Sequence, residues 1–141
     1  MNFIDAALAN QNNLSNDDFL QAMADIYNEP EVWDILETYP QYIQDVLYII
    51  DYDTELQMEG LDGVLNCMSE NYPKIYKALN NVGALDEAHI LQETRCLDIE
   101  SDNYYEEIVR LENQTALNND YESFWDLVRN YIGKNRIQQK S

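Results

Sequence analysis

Gln41-Tyr-Ile-Gln-Asp-Val-Leu-Tyr-Ile-Ile50 is the stretch on which the fold turns. Ile43, Val46, Leu47 and Ile50 stand at i, i+3, i+4 and i+7, the spacing that places four apolar side chains on one stripe of an α-helix. This predicts a central helix near residues 41–52, restarted after Pro40. Towards the amino terminus, Pro30 suits the first position of another helix, where its missing N–H goes unneeded, and Val32, Trp33, Leu36 and Tyr39 form its apolar side. Ser15 or Asn16 caps an earlier helix with Asp17 and Asp18 in its first turn, followed by Phe19, Met23 and Ile26 or Tyr27. Phe3 to Ala9 reads as a short first helix, and residues 1–14 as loosely packed.

On the other side, Gly60 and Gly63 flank Leu61 and mark a bend, a helix-breaking loop or a close backbone approach, before Val64, Leu65 and Met68 resume the pattern. Pro73 opens a helix bearing Ile75, Tyr76 and Leu79 that stops at Asn80, Asn81 and Gly83. Leu85, Ala88 and Leu91 mark the next. Tyr104, Ile108, Leu111 and Thr115 mark another. Phe124, Leu127, Val128 and Tyr131 mark the last, which Gly133 caps. Lys134, Arg136 and Lys140 fall in a basic tail over 134–141 that is expected to fray. Four glycines and three prolines are too few turn-formers for a many-stranded β protein. The expectation is all-α: one compact domain over residues 1–141, with seven or eight helices around the central one.

Charge is the strongest functional signal. Met1 to Pro73 holds fifteen of the twenty-seven acids and none of the eight lysines and arginines, in a chain of net charge −19. Two carboxylates about 6 Å apart in water repel by about 0.7 kcal/mol before screening, so crowding fifteen is costly. Solubility needs a net charge of only about 2–8 in a small domain. Such a surface repels nucleic acid and anionic lipid and attracts basic protein surfaces. The plainer reading is a solvated acidic face. The eleven tyrosines are expected at the core boundary, rings inside and hydroxyls in water.

Catalysis has no motif to stand on. GxSxG, Walker, GxGxxG and HExxH patterns are missing, and the single histidine, His89, sits between Ala88 and Ile90 of a predicted helix with no triad around it. A non-enzymatic protein without cofactor is expected. Cys67 and Cys96 lack CxxC spacing and read as small buried hydrophobes in a reducing compartment. Met1 to Asn13 lacks a basic leader region, and no long apolar run follows, so a cytoplasmic, membrane-free location is expected.

Asp51, Asp53, Glu55, Glu59 and Asp62 occupy positions 1, 3, 5, 9 and 12 of an EF-hand-like window. Leu56 stands where that loop needs glycine and Asp62 where it needs glutamate, so no metal site is expected. Read as helix, Asp51, Glu55, Glu59 and Asp62 fall at i, i+4, i+8 and i+11 and form an acidic ridge, with carboxylates about 4.5–6 Å apart along the axis. That spacing is comparable to successive phosphates of a nucleic-acid strand. Glu31, Asp34 and Glu37 form a second row, though on an α-helix a spacing of three drifts around the axis.

Glu55-Leu-Gln-Met-Glu-Gly-Leu-Asp-Gly-Val-Leu-Asn66, Ala78-Leu-Asn-Asn-Val-Gly-Ala84 and Ala88-His-Ile-Leu91, with the closing stretch Tyr121 to Asn135, resemble an acidic, all-helical bacterial family of unknown function that includes a DNA-mimic protein. The resemblance covers roughly Tyr27 to Asn135. Met58-Glu-Gly-Leu61 departs from it, standing where the family has paired glycines and an aromatic. The resemblance implies a helical fold, no known catalytic activity and, in one branch, occupation of a DNA-binding protein. Together with the charge, it makes Glu31, Asp34, Glu37, Asp51, Asp53, Glu55, Glu59 and Asp62 the candidate contact set. The expected partner is a basic protein such as a DNA-binding transcription regulator, with no direct nucleic-acid binding. An immunity- or antitoxin-like inhibitor of an enzyme, or a helical domain with no mimicry role, stands as the alternative. A homodimer, through the basic tail or tyrosine-rich faces, stays open.

Overall fold

A 27-residue helix, α3 (Gln41–Cys67), runs through the centre of the protein. Tyr42, Ile43, Asp45 and every residue from Val46 to Ile50 are buried, so the expected stripe becomes a circumference, as in a helix covered on all sides. The covering elements are α1 (Phe3–Ala9), α2 (Asn16–Met23), α4 (Tyr72–Asn81), α5 (Leu85–Arg95), α6 (Tyr104–Gln114), α7 (Ala116–Asn119) and α8 (Tyr121–Gln139), with 3-10 segments at Gln11–Asn13, Ala24–Tyr27 and Pro30–Thr38. This computed structural model describes residues 1–67 and 70–139; Met68, Lys140 and the side chain of Cys67 lie outside the described residues. Among those described there is no strand, and no helix is long and apolar enough to cross a membrane.

Local chemistry accounts for most boundaries. Ser15 caps α2 by accepting from the Asp18 N–H at 3.0 Å while the Asp18 carboxylate accepts from the Ser15 N–H. Gly83 adopts φ +89° and ends α4: Ala84 N–H reaches the Leu79 carbonyl at 2.9 Å and Gly83 N–H the Asn80 carbonyl at 3.1 Å. At Gly60, φ +75° and ψ −174° break α3 without a loop. The Glu112 carboxylate from α6 accepts from the freed Leu61 N–H at 2.8 Å, and a Cβ on Gly60 would lie 2.3 Å from Glu112 Oε1.

Both ends of the chain depart from expectation. Residues 1–14 are seated firmly: Asn2 and Asp5 form a capping box, Phe3, Ile4 and Ala7 are buried, and Phe3 N–H donates to Glu29 at 3.1 Å. The basic tail is not frayed through Gln139. Helix α8 continues past Gly133, because Arg136 turns inward over the Phe19 ring and donates to the carbonyls of Gln11 (2.9 Å), Leu14 (2.7 Å) and Ser15 (3.3 Å). Gly133 permits the close approach of Asn16 instead of ending the helix. Leu85 and Leu127, expected inside, are exposed; Glu87, Ile90, Trp125 and Ile132 take the interior places.

Candidate functional site

The segment Pro30–Thr38 is 3-10 rather than α-helical, with Val32 N–H bonding to the Glu29 carbonyl at 3.0 Å and Tyr39 N–H to Leu36 at 3.1 Å. At three residues per turn and a rise of about 2 Å, residues three apart eclipse one another. Glu31, Asp34 and Glu37 therefore do not drift: they stack in a straight row about 6 Å apart, all three exposed. Prolines bound the segment on both sides, and Val32 and Leu36 hold it to the core.

The ridge on α3 is shorter than the sequence indicates. Asp51, Glu55 and Glu59 keep helical phase, Glu59 exposed and the other two half-buried. Asp62 lies beyond the Gly60 break, which cancels the register, and it accepts from the Tyr104 hydroxyl at 2.7 Å. Asp53, two residues from Asp51 and hence on another face of the helix, turns towards α8 and accepts from the Tyr121 hydroxyl at 3.0 Å and Gln57 at 3.4 Å. The helix is unbroken from Gln41 to Glu59, so the EF-hand-like window is not a loop and its oxygens diverge.

Tyr48 relates the two rows. It falls at i, i+3, i+7 and i+11 with Asp51, Glu55 and Glu59 on one stripe of α3, and its ring packs against Trp33 of the 3-10 segment with centroids 5.4 Å apart. The Tyr27 hydroxyl, just ahead of that segment, donates to Asp51 at 2.9 Å. The 3-10 segment is thus packed beside the first part of this stripe.

Tyrosines do in this half what cations do elsewhere. Besides Tyr27–Asp51, Tyr121–Asp53 and Tyr104–Asp62, Tyr39 donates to Asp5 at 2.9 Å and Tyr131 to the buried Asp45 at 2.5 Å. Five of the hydroxyls expected in water thus find carboxylates. Each is a neutral donor, so it satisfies a carboxylate without cancelling its charge. Burial, followed by the bond to Asp62, pushes the Tyr104 hydroxyl up to about 12; burial first, then Asp53, raises Tyr121. Burial also raises Asp51 and Asp53, opposed by the hydrogen bonds from Tyr27 and Tyr121 respectively. Of the candidate acids, Glu37 meets a base among the described residues, Lys74 at 3.8 Å on the exposed surface, a pair worth little. Tyr27, Tyr104 and Tyr121 were not legible as site residues; their one signal was eleven tyrosines in a chain whose first half lacks bases.

Outside the rows, His89 is exposed and pairs with Glu93 at 2.7 Å. Cys96 is free and exposed, not buried, because it follows the end of α5 at the surface. Among the described residues, no group of three or more His, Cys, Asp or Glu is arranged to hold a metal ion.

Comparison with curated proteins and with solved structures gives no match. A family model, by contrast, matches residues 37–135, from the end of the 3-10 segment through most of α8, and takes in six of the eight candidate carboxylates. That span is well over half of the chain, which therefore belongs to the DMP19-like protein family.

Proposed function

We propose that this is an acidic protein-binding module that acts as a DNA mimic, its helix-borne carboxylates occupying the basic surface of a DNA-binding protein, such as a transcription regulator of the bacterial cytoplasm. The supporting observation is a row of exposed carboxylates, Glu31, Asp34 and Glu37, on a 3-10 segment packed beside the α3 acids Asp51, Glu55 and Glu59, in a half of the chain without a lysine or arginine. A cationic groove built for phosphates meets there an ordered array of anions on a rigid scaffold, and association releases counterions and depends on salt as DNA binding does. Family membership is consistent with this role. No catalytic or cofactor chemistry enters the reading.

Immobilised protein that has captured basic proteins from lysate at low salt is the starting material for the test. Duplex DNA added at constant ionic strength is expected to displace them, and the variant Glu31→Gln/Asp34→Asn/Glu37→Gln/Glu55→Gln/Glu59→Gln is expected not to capture them. Captured proteins that DNA fails to displace, with binding insensitive to salt, would instead favour the inhibitor alternative, whose energy would lie in a few buried anchors.

A further inference from the structure

A cleft of about 330 Å³ lies where α2, α3 and α8 meet, on the flank of the acidic rows. Leu20, Ala24 and Ile50 supply apolar lining, and Tyr27, Tyr121 and Trp125 supply aromatic walls. Its polar groups are mostly acceptors, the Gln21 amide and the buried indole N–H of Trp125 being the uncharged donors beside them. The Tyr27 and Tyr121 hydroxyl protons are committed to Asp51 and Asp53, which leaves their oxygens as acceptors. The Thr54 hydroxyl donates to the Ile50 carbonyl at 3.0 Å, likewise leaving lone pairs. Asp53 spends two acceptor sites on Tyr121 and Gln57, and an ionised carboxylate has about four. The one cation on the wall, Arg129, is already held by Asp17 (2.9 Å), Asp126 (2.8 Å) and Glu122 (3.7 Å), so the mouth retains a surplus of anions.

An acceptor-rich, aromatic-walled cleft with a half-buried carboxylate calls for a ligand made of donors, carrying positive charge and a flat apolar face. We infer that this cleft is a receptor for a guanidinium group, an arginine side chain of the basic partner protein, which stacks against the tyrosine and tryptophan walls and donates to Asp53. Guanidinium is favoured over ammonium because it is planar, weakly hydrated and presents several donors in a fork. Burial raises Asp53, the sign of a carboxylate short of solvation, and a bound cation restores what is lost. The identity of the occupant rests on the proposed partner class; the chemistry of the cleft does not. An arginine seated here would anchor the partner beside the carboxylate rows and supply a directional contact that a charge array lacks.

The test uses the whole chain, labelled with ¹⁵N, and N-ethylguanidinium as the probe. The two indole N–H signals, assigned with Trp33→Phe, report separately on the cleft and on the 3-10 segment. The Trp125 signal is expected to shift saturably with Kd on the order of 1 mM while Trp33 stays still. Neutral N-ethylurea and the variant Asp53→Asn are each expected to weaken binding about tenfold, and Glu122→Gln, an exposed rim change that leaves the fold intact, about twofold. No shift at Trp125, equal binding of the urea, or Asp53→Asn binding at full strength in a protein with an unchanged melting curve would overturn the assignment. So would spermidine binding ten times more tightly than the guanidinium, which would make the cleft a polyamine site. Failure here leaves displacement of captured proteins by DNA untouched, and failure of that displacement leaves this titration untouched.

Discussion

Along the contact of α2 with α8, carboxylates are satisfied by a cation: Arg129 draws together Asp17, Asp126 and Glu122. Along α3, Asp51, Asp53, Asp62 and buried Asp45 are satisfied by Tyr27, Tyr121, Tyr104 and Tyr131. Both arrangements fix side chains, but only the first removes charge. An arginine on α3 would have stabilised the same carboxylates and erased the field they produce; tyrosine orders them and leaves the field standing. The difference teaches how carboxylates can be fixed within a fold and still keep their charge.

Removing the buried cation further along α8, which holds carbonyls rather than carboxylates, is expected to cost most. Arg136 is nearly buried, and its guanidinium bonds the three carbonyls that carry the chain from α1 into α2. Arg136→Ala takes the guanidinium donor from the Leu14 carbonyl, leaves those of Gln11 and Ser15 with their backbone donors alone, and exposes the Phe19 ring, at a cost of about 3 kcal/mol in urea unfolding. Arg136→Lys keeps the charge but not the fork of donors, so it is expected to recover less than half of the loss. Full stability in Arg136→Ala would show that the closing turns of α8 are not anchored there.

Tyrosine-held acids divide by burial, and that division gives the next effects. Asp45 is buried and accepts from Tyr131, Asn81 (3.0 Å) and Gln41 (2.9 Å), so Tyr131→Phe strips a donor from a carboxylate water cannot easily reach, for a loss of about 2 kcal/mol. Tyr121→Phe strips one from half-buried Asp53, where solvent replaces it, for a loss of about 0.5 kcal/mol. Equal losses from the two substitutions would mean that the hydroxyls act through packing rather than as donors.

Legibility in the sequence follows the range of the interaction. The helices were readable because apolar spacing and caps act within a few residues: Ser15 with Asp18, Gly83 after Asn81, Ile43 to Ile50. The Pro30–Thr38 segment was readable as helical but not as 3-10, since Val32 and Leu36 suit either coil, and so Glu31, Asp34 and Glu37 aligned when they were expected to drift. The tyrosine pairs span 24 to 86 residues for Tyr27–Asp51 and Tyr131–Asp45, and nothing local announces them. The same holds for Arg136, whose partners lie more than a hundred residues away, which made the tail look free. Acidic character was legible in full; its arrangement depended on contacts that only the folded chain creates.

The smallest effect isolates the retained field itself, through pH. Burial raises Asp51, Asp53 and Glu87 in the folded protein above their values in the unfolded chain. In the interval between the two values the folded state holds more protons, so stability falls as pH rises through the folded value and is regained as pH falls back. The window therefore opens just above the ordinary carboxylate range of about 4 and extends upward by the size of the shifts. The melting temperature is thus expected to rise by about 2 °C as the pH falls from 6 towards 4.5, where proteins tied together by carboxylate–arginine pairs stay level or fall. Raising NaCl from low to moderate concentration at pH 7.5 should reproduce part of the gain through screening, and Asp53→Asn should remove part of the pH dependence. Melting curves that decline on acidification through this interval would mean that the carboxylates of α3 are stabilised more by unseen cationic pairing than by their tyrosines.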